Sequence, residues 1–260
     1  MDVAKIVSDV RTALPRVLVA VDFDGTLAPL VADPEQSRPV DGTIEVLREL
    51  AGRGVQVAVV TGRDARTVLR LSGLDAVPRL VVAGLYGLET WSDGALHTPD
   101  TPEELDVLRR RLPDVLRTHD ADPDVWIEDK RLSLVVHARR AQDPDAALAV
   151  LRDPVAAVAG ELGLELHPGR DVLELRLPGF DKAGALRRLV DDGDYAAVLY
   201  IGDDLGDLPA FAEAVKLRAE GRAAYGVGVL SSGVAEVARA ADVTVADADA
   251  VVGLLRKIAD

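Results

Sequence analysis

Five consecutive apolar residues, Val17 to Val21, run without a polar break into Asp22-Phe23-Asp24-Gly25-Thr26. A strand that presents apolar side chains to both sides has to be covered on both faces, which is the situation of a parallel sheet sandwiched between helices. Similar short apolar runs recur at Val55 to Val60, Leu80 to Ala83, Ala197 to Ile201 and 225 to 230, with a further strand over 242 to 245. Between them lie segments of helical spacing, over 41 to 52, 64 to 72, 182 to 191 and 207 to 218. Val3, Ile6, Val7 and Val10 predict an opening amphipathic helix, and Val251, Leu254, Leu255 and Ile258 predict a closing one. Strands alternating with helices define an α/β chain with a parallel sheet.

The alternation is interrupted from about residue 100. Leu105, Leu108, Leu112 and Leu116 mark a helix, and residues 124 to 129 and 132 to 139 read as antiparallel strands turning at Lys130 and Arg131. A second unit of the same kind follows: a helix through Leu148, Leu151, Val155, Val158 and Leu162, broken near Pro154, then strands 163 to 167 and 171 to 177 turning at Pro168-Gly169. Residues 101 to 177 therefore read α-β-β-α-β-β, an inserted α/β cap with a sheet of its own. The flanks, 1 to 100 and 178 to 260, each hold too few strands for a sheet of usual size, so they are expected to form one discontinuous core. Pro99 and Pro178-Gly179 are the expected hinge neighbourhoods.

The sequence has 260 residues, a formal net charge of −14 and no cysteine. The excess of acid disfavours nucleic acid and anionic membranes, both of which are bound through Lys and Arg. Without cysteine there are no disulfides, thiolate metal sites or thiol nucleophile, as suits a cytoplasmic protein. Neither a signal peptide nor a transmembrane span is expected, and nothing in the sequence calls for an obligate protein partner.

Strand alternation puts Asp22 and Asp24 on one side at the carboxyl end of the first strand, where open α/β sheets bind ligands. A second acidic group, Gly202-Asp203-Asp204-Leu205-Gly206-Asp207, follows the strand ending at Ile201. Carboxylates crowded together oppose joint ionisation unless a cation sits among them, and an all-oxygen set suits Mg²⁺. Taken singly, either cluster is ordinary solvated loop chemistry. Thr61-Gly62-Arg63 adds a hydroxyl and backbone N–H groups at a helix start, suited to phosphate oxygens, and Lys182 adds an ammonium. In isolation Thr61 is simply a helix cap and Lys182 a solvated lysine. No nucleophile elbow or Walker A loop is present, and His97, His119, His137 and His167 lack metal-ligand spacing.

In this order, DFDGT, TGR, Lys182 and GDDLGD resemble the four motifs of the haloacid-dehalogenase (HAD) phosphatases. An insertion between the second and third motifs is similar to the sugar-phosphatase branch. Within it, Asp22 to Pro29, Gly84-Leu85-Tyr86-Gly87-Leu88-Glu89, Glu128-Asp129-Lys130 and Gly169-Arg170 resemble the trehalose-6-phosphate phosphatase family. The chain departs from the pattern at Thr61, where Ser is frequent, at Ala183, where Gly follows the lysine, and at Gly206, where Thr is usual.

The resemblance implies a Rossmann-like HAD core and a Mg²⁺-dependent hydrolysis of trehalose 6-phosphate through an aspartyl-phosphate. It implies Asp22 as nucleophile and Asp24 as acid and base, with Mg²⁺ held by Asp22, Asp24 and Asp203, and with Asp204 and Asp207 behind them. Thr61, Gly62, Arg63 and Lys182 would bind the phosphoryl oxygens. Glu128, Lys130, Arg139, Arg170 and Glu174 of the cap would contact the sugar, although the same polar face could simply be a solvated sheet laced with ion pairs. Alternatives that keep the motifs are a phosphatase for another sugar phosphate, such as sucrose phosphate or mannosylglycerate phosphate, and a non-catalytic sugar-phosphate-binding relative.

Overall fold

The computed structural model describes residues 1 to 98, 100 to 169 and 171 to 260. They form two compact units, Met1–Thr98 with Asp181–Asp260, and Pro99–Phe180. The first unit is built on a sheet whose order among the described residues is β12-β11-β10-β1-β2-β3-β4-β5. Its parallel members are β1 (Val17–Val21), β2 (Gln56–Val60), β3 (Val81–Gly84), β10 (Ala197–Gly202), β11 (Ala223–Val229) and β12 (Val243–Val245). All five residues of β1 and all six of β10 are buried, as their unbroken apolar sequences require.

Alternate residues of β1 feed two different cores. Val17, Val19 and Val21 join α1 (Val3–Thr12), α2 (Thr43–Gly52), α3 (Ala65–Ser72) and α9 (Ala248–Ala259) on one face. Leu18 and Ala20 join α6 (Lys182–Asp191) and α7 (Leu208–Ala219) on the other. The chain leaves β1 towards β2 and β3 on one side and later fills β10 and β11 on the other. The strand order thus reverses beside β1, and the carboxyl ends of β1, β2 and β10 bound the crevice that this reversal opens.

Two elements of this unit carry too little hydrophobic periodicity to be read from sequence. A hairpin, β4 (Glu89–Ser92) and β5 (Ala95–His97), extends the sheet in antiparallel sense, and a six-residue helix, α8 (Ala235–Ala240), follows β11. The hairpin is an edge whose stability comes from pairing onto β3.

The second unit is a four-stranded antiparallel sheet of order β6-β7-β9-β8, made of β6 (Trp126–Asp129), β7 (Ser133–His137), β8 (Glu165–Gly169) and β9 (Val172–Arg176). Two helices, α4 (Glu103–Thr118) and α5 (Pro144–Glu161), cover one face, where Leu105, Leu108 and Leu112 meet Leu134, Val136, Leu173 and Leu175. The expected break at Pro154 does not occur: α5 runs unbroken for 18 residues. Proline deletes the hydrogen bond to the carbonyl four residues earlier, a residue here (Val150) that is exposed. The buried stripe Leu148, Leu151, Val155 and Val158 outweighs that loss. Pro168 and Gly169 also differ from expectation, because they belong to β8 and pair with Leu173 and Val172 rather than forming the turn.

No helix among the described residues is long and apolar enough to cross a membrane. Leu173 is fully buried in the centre of the second unit's core. Leu173→Ala is expected to destabilise the protein by about 2–5 kcal/mol, the usual cost of such a cavity, read from chemical denaturation.

Candidate active site

Asp22 leaves the end of β1 with its N–H bonded to the Ile201 carbonyl at 2.9 Å, which brings the first acidic loop beside the second. Two glycines make the approach possible. Gly25 turns at a φ of 79°, in the left-handed region, and a Cβ there would sit inside the Asp203 carboxylate. A Cβ on Gly202 would collide with the Asp207 carboxyl. As a result one carboxylate oxygen each from Asp22, Asp203 and Asp207 lie within 4.8 Å of one another, all buried.

Lys182, at the start of α6, is 3 % exposed and lies 3.0 Å from Asp22 Oδ1, 2.7 Å from Asp207 Oδ1 and 3.7 Å from Asp204 Oδ1. Burial alone would lower its pKa, but the charges of Asp22 and Asp207 outweigh it and hold the ammonium well above its ordinary value. The solvated-lysine reading is excluded. Burial raises Asp22 well above the usual carboxylate range despite Lys182, and burial with the neighbouring Asp204 and Asp207 charges pushes Asp203 up to about 7. Asp207 moves the other way: burial opposes ionisation, but Lys182 and the hydrogen bonds it accepts win, and its pKa is lowered.

Those bonds take up the whole Asp207 carboxylate. Oδ1 accepts from the Tyr200 hydroxyl at 2.5 Å and from Lys182 Nζ, while Oδ2 accepts from the backbone N–H groups of Asp203 at 2.9 Å and Asp204 at 3.0 Å. Asp207 therefore acts at one remove, fixing the lysine and the backbone that carries Asp203. The oxygens that could receive a cation belong to Asp22 and Asp203. Two buried carboxylates with raised pKa values and one shared lysine are short of positive charge, and hard oxygen donors of this kind fit a small divalent cation.

The third loop arrives from β2. Thr61 is buried, its N–H bonds the Ala83 carbonyl at 3.0 Å, and its hydroxyl accepts from the Arg63 N–H at 3.1 Å. The cap of α3 is Asp64, whose side chain accepts from the Thr67 N–H, so Thr61 is not the cap. Arg63 is committed to Asp24 through two bonds, Nε to Oδ2 at 2.5 Å and Nη2 to Oδ1 at 2.8 Å, rather than standing open for an anion. Ser37 also donates to Asp24 Oδ1 at 2.8 Å.

Several contributors take no role in the site from the sequence, although Tyr86 and Glu89 stand in a family-like motif. Ser231 donates to the Gly25 carbonyl at 2.6 Å and Ser232 donates to the Asp203 carbonyl, so the loop after β11 clamps both acidic loops. Glu89 accepts from the Ala65 N–H at 2.6 Å, and the Tyr86 N–H donates to the Thr61 carbonyl at 2.9 Å, so the segment after β3 supports the Thr61 loop. Hydroxyls and backbone groups of this sort are legible only once the loops are adjacent.

In the second unit, the face opposite the buried leucines carries Glu128, bonded to His137 Nε2 at 2.8 Å, and Glu174, which accepts from Ser133 at 2.9 Å. The Trp126 ring stacks on His137 at 4.6 Å. Lys130 and Arg139 lie just beyond the strand ends, in the turns after β6 and β7, so strand alternation does not assign them to a face. Arg170 lies outside the described residues.

The acidic cluster makes a pH prediction for the metal-free protein. Asp203 keeps its proton to about pH 7 when folded, against an ordinary aspartate value of 3.8, so between those values the folded state binds more protons than the unfolded. Stability then falls as pH rises through that window. Asp22 and Asp204, also raised, add to the decline in the same direction, whereas Asp207, lowered, and Lys182, raised, change stability only outside the window. Thermal unfolding in EDTA is expected to show this decline, and Asp203→Asn to make it shallower.

A family model described as trehalose-phosphatase matches residues 20–249. The trehalose-phosphate phosphatase of Mycobacterium marinum is 34 % identical over 207 residues, covering 76 % of this chain and 51 % of that protein. The enzyme of the same name from Mycobacterium avium is 36 % identical over 211 residues, covering 74 % and 50 %. The chain thus spans about half the length of these curated relatives. Among solved structures, a trehalose-6-phosphate phosphatase related protein superposes with a TM-score of 0.69 at 26 % identity, over 93 % of this chain and 96 % of the other. Trehalose-6-phosphate phosphatase of Aspergillus fumigatus shares the fold at a TM-score of 0.77 and 23 % identity, over 100 % and 97 %. With a matching family model over nearly its whole length and a HAD-like α/β fold, the chain belongs to the trehalose-phosphatase family.

Proposed function

We propose that this chain hydrolyses trehalose 6-phosphate to trehalose and phosphate, with Asp22 as nucleophile and Mg²⁺ as cofactor. The observation that carries the reading is the Lys182 ammonium held 3.0 Å from Asp22 within the buried carboxylate cluster, with Asp24 two residues further on. The family match and the names of the relatives support trehalose 6-phosphate as the substrate.

Asp22 attacks phosphorus, forming an aspartyl-phosphate as the bond between phosphorus and the sugar oxygen breaks. Asp24 gives its proton to the departing oxygen. It then takes a proton from the water that attacks the aspartyl-phosphate, and phosphate leaves with Asp22 restored. Arg63 and Ser37 orient Asp24 for both transfers. Lys182 and the Thr61 hydroxyl, with the Gly62 backbone, hold phosphoryl oxygens, and Arg63 serves that end of the site mainly through Asp24. Asp22, the Asp24 backbone carbonyl and Asp203 would hold Mg²⁺, with Asp204 reaching it through water. When bound, the cation supplies positive charge to the phosphoryl oxygens and to the crowded carboxylates.

In this reading residues 101 to 177 act as the specificity cap, and Glu128, Lys130, Arg139, Arg170 and Glu174 contact the sugar hydroxyls. The polar face carrying Glu128 and Glu174 supports this, since a disaccharide needs acceptors and donors together. The absence of cysteine agrees with action in a reducing cytoplasm.

Phosphate release from trehalose 6-phosphate, compared with sucrose phosphate, mannosylglycerate phosphate and glucose 6-phosphate, tests substrate and class together. Release is expected with Mg²⁺, none with EDTA, and trehalose 6-phosphate as the best substrate. Asp22→Asn is expected to abolish turnover and Asp24→Asn to slow it by about 10²- to 10⁴-fold. Binding without release by the intact protein would mark a non-catalytic relative. Glu128→Ala and Glu174→Ala are expected to raise KM for trehalose 6-phosphate while leaving hydrolysis of a small phosphate ester, p-nitrophenyl phosphate, unchanged.

A further inference from the structure

Tyr200 lies inside β10 with its ring fully buried in the core face that includes Leu186, Ala210 and Phe211. The Phe211 ring meets it edge-on at 5.8 Å and 77°. A ring held in this way keeps its hydroxyl at one point, and that point is 2.5 Å from Asp207 Oδ1. Burial and the Asp207 charge raise the phenol well above its ordinary pKa, so it stays protonated and can only donate to that oxygen.

Asp207 Oδ1 is also the partner of Lys182 Nζ at 2.7 Å. A carboxylate offers about four acceptor positions, and here each is filled by a different donor from β10, α6 or the loop after β10. Of those donors, the two backbone N–H groups hold Oδ2 and set the plane of the carboxylate. On Oδ1, a neutral hydroxyl and a cation share one atom. The hydroxyl satisfies part of Oδ1 and leaves the ammonium to divide its charge between Asp207 at 2.7 Å and Asp22 at 3.0 Å. Without the hydroxyl, Asp207 would have only the ammonium to compensate Oδ1, and Lys182 would be drawn down into the core and away from Asp22.

We infer that Tyr200 is a positioning residue for phosphoryl transfer, its hydroxyl acting through Asp207 to hold the Lys182 ammonium against the Asp22 carboxylate. This rests on the phosphatase reading for its kinetic consequence, though the geometric claim about Lys182 stands apart from turnover. It is distinct from a packing role because the ring supplies the packing and the oxygen supplies the hydrogen bond. Tyr200→Phe separates the two, keeping the ring and its contact with Phe211 while removing one donor.

For the Mg²⁺-loaded protein, Tyr200→Phe is expected to lower kcat on trehalose 6-phosphate about tenfold with KM changed less than about threefold, because a transition-state contact is weakened while the sugar contacts remain. In the metal-free protein, the Lys182 ammonium resonance observed by ¹⁵N NMR is expected to shift in Tyr200→Phe. A kcat within about twofold of an active wild type overturns the proposal. If the wild type releases no phosphate from any sugar phosphate, the phosphatase reading fails by itself, and an unshifted Lys182 resonance in Tyr200→Phe then overturns the positioning claim separately. Should Tyr200→Phe not be recovered folded, the Tyr200 hydroxyl proton in the wild type is the readout. It is expected to exchange slowly and to move on Lys182→Met, and a resonance that does not move overturns the proposal.

Discussion

A single buried ammonium holds the active end of this protein together. Four carboxylates, Asp22, Asp203, Asp204 and Asp207, are drawn from two loops that are far apart in sequence, and in low dielectric their mutual repulsion would push those loops apart. Lys182 reaches three of them within 4.0 Å, and its position at the start of α6 fixes where the chain re-enters the first unit after residues 99–180. One cation does not balance four acids. The remaining deficit is carried as raised pKa values on Asp22, Asp203 and Asp204, and it is the physical reason the cluster could hold a cation.

The response within the cluster is uneven. Asp207, saturated with four donors, is ionised and structural, while Asp203 accepts only long contacts from Thr26 and Ser231 at 3.4 Å and Asp22 shares the Lys182 ammonium at 3.0 Å. Proximity alone would class the three together. Counting donors separates them, because a carboxylate whose lone pairs are filled has nothing left for a ligand. The same count shows that Arg63 spends two of its N–H groups on Asp24 and so is committed to that carboxylate.

Much of this was legible beforehand because it rests on local patterns. Val17 to Val21 could only be a covered parallel strand, and the same logic placed β2, β3, β10 and β11 to within a residue or two. The acidic and TGR motifs sat at strand ends by simple adjacency. The Pro154 break failed because a local rule met a buried stripe of Leu and Val on the same helix, and burial is worth more than one hydrogen bond at an exposed position. The β4–β5 hairpin went unread because an edge ribbon owes its existence to the strand it pairs with.

The sequence by itself determined which residue types stand at which strand ends, because strand burial and glycine turns depend on near neighbours along the chain. Local pattern put Asp22, Asp24 and Asp203 at strand ends, and the family resemblance supplied the roles expected of Thr61 and Lys182. Tertiary structure alone decided which of them touch: that Arg63 pairs with Asp24, that Tyr200 and Lys182 share one oxygen of Asp207, and that Ser231 and Ser232 close the loop between Gly25 and Asp203. Hydrogen bonds are satisfied over about 3 Å in space, and site residues as far apart as Gly25 and Ser231, 206 positions, meet at that distance only after the sheet has set its strand order.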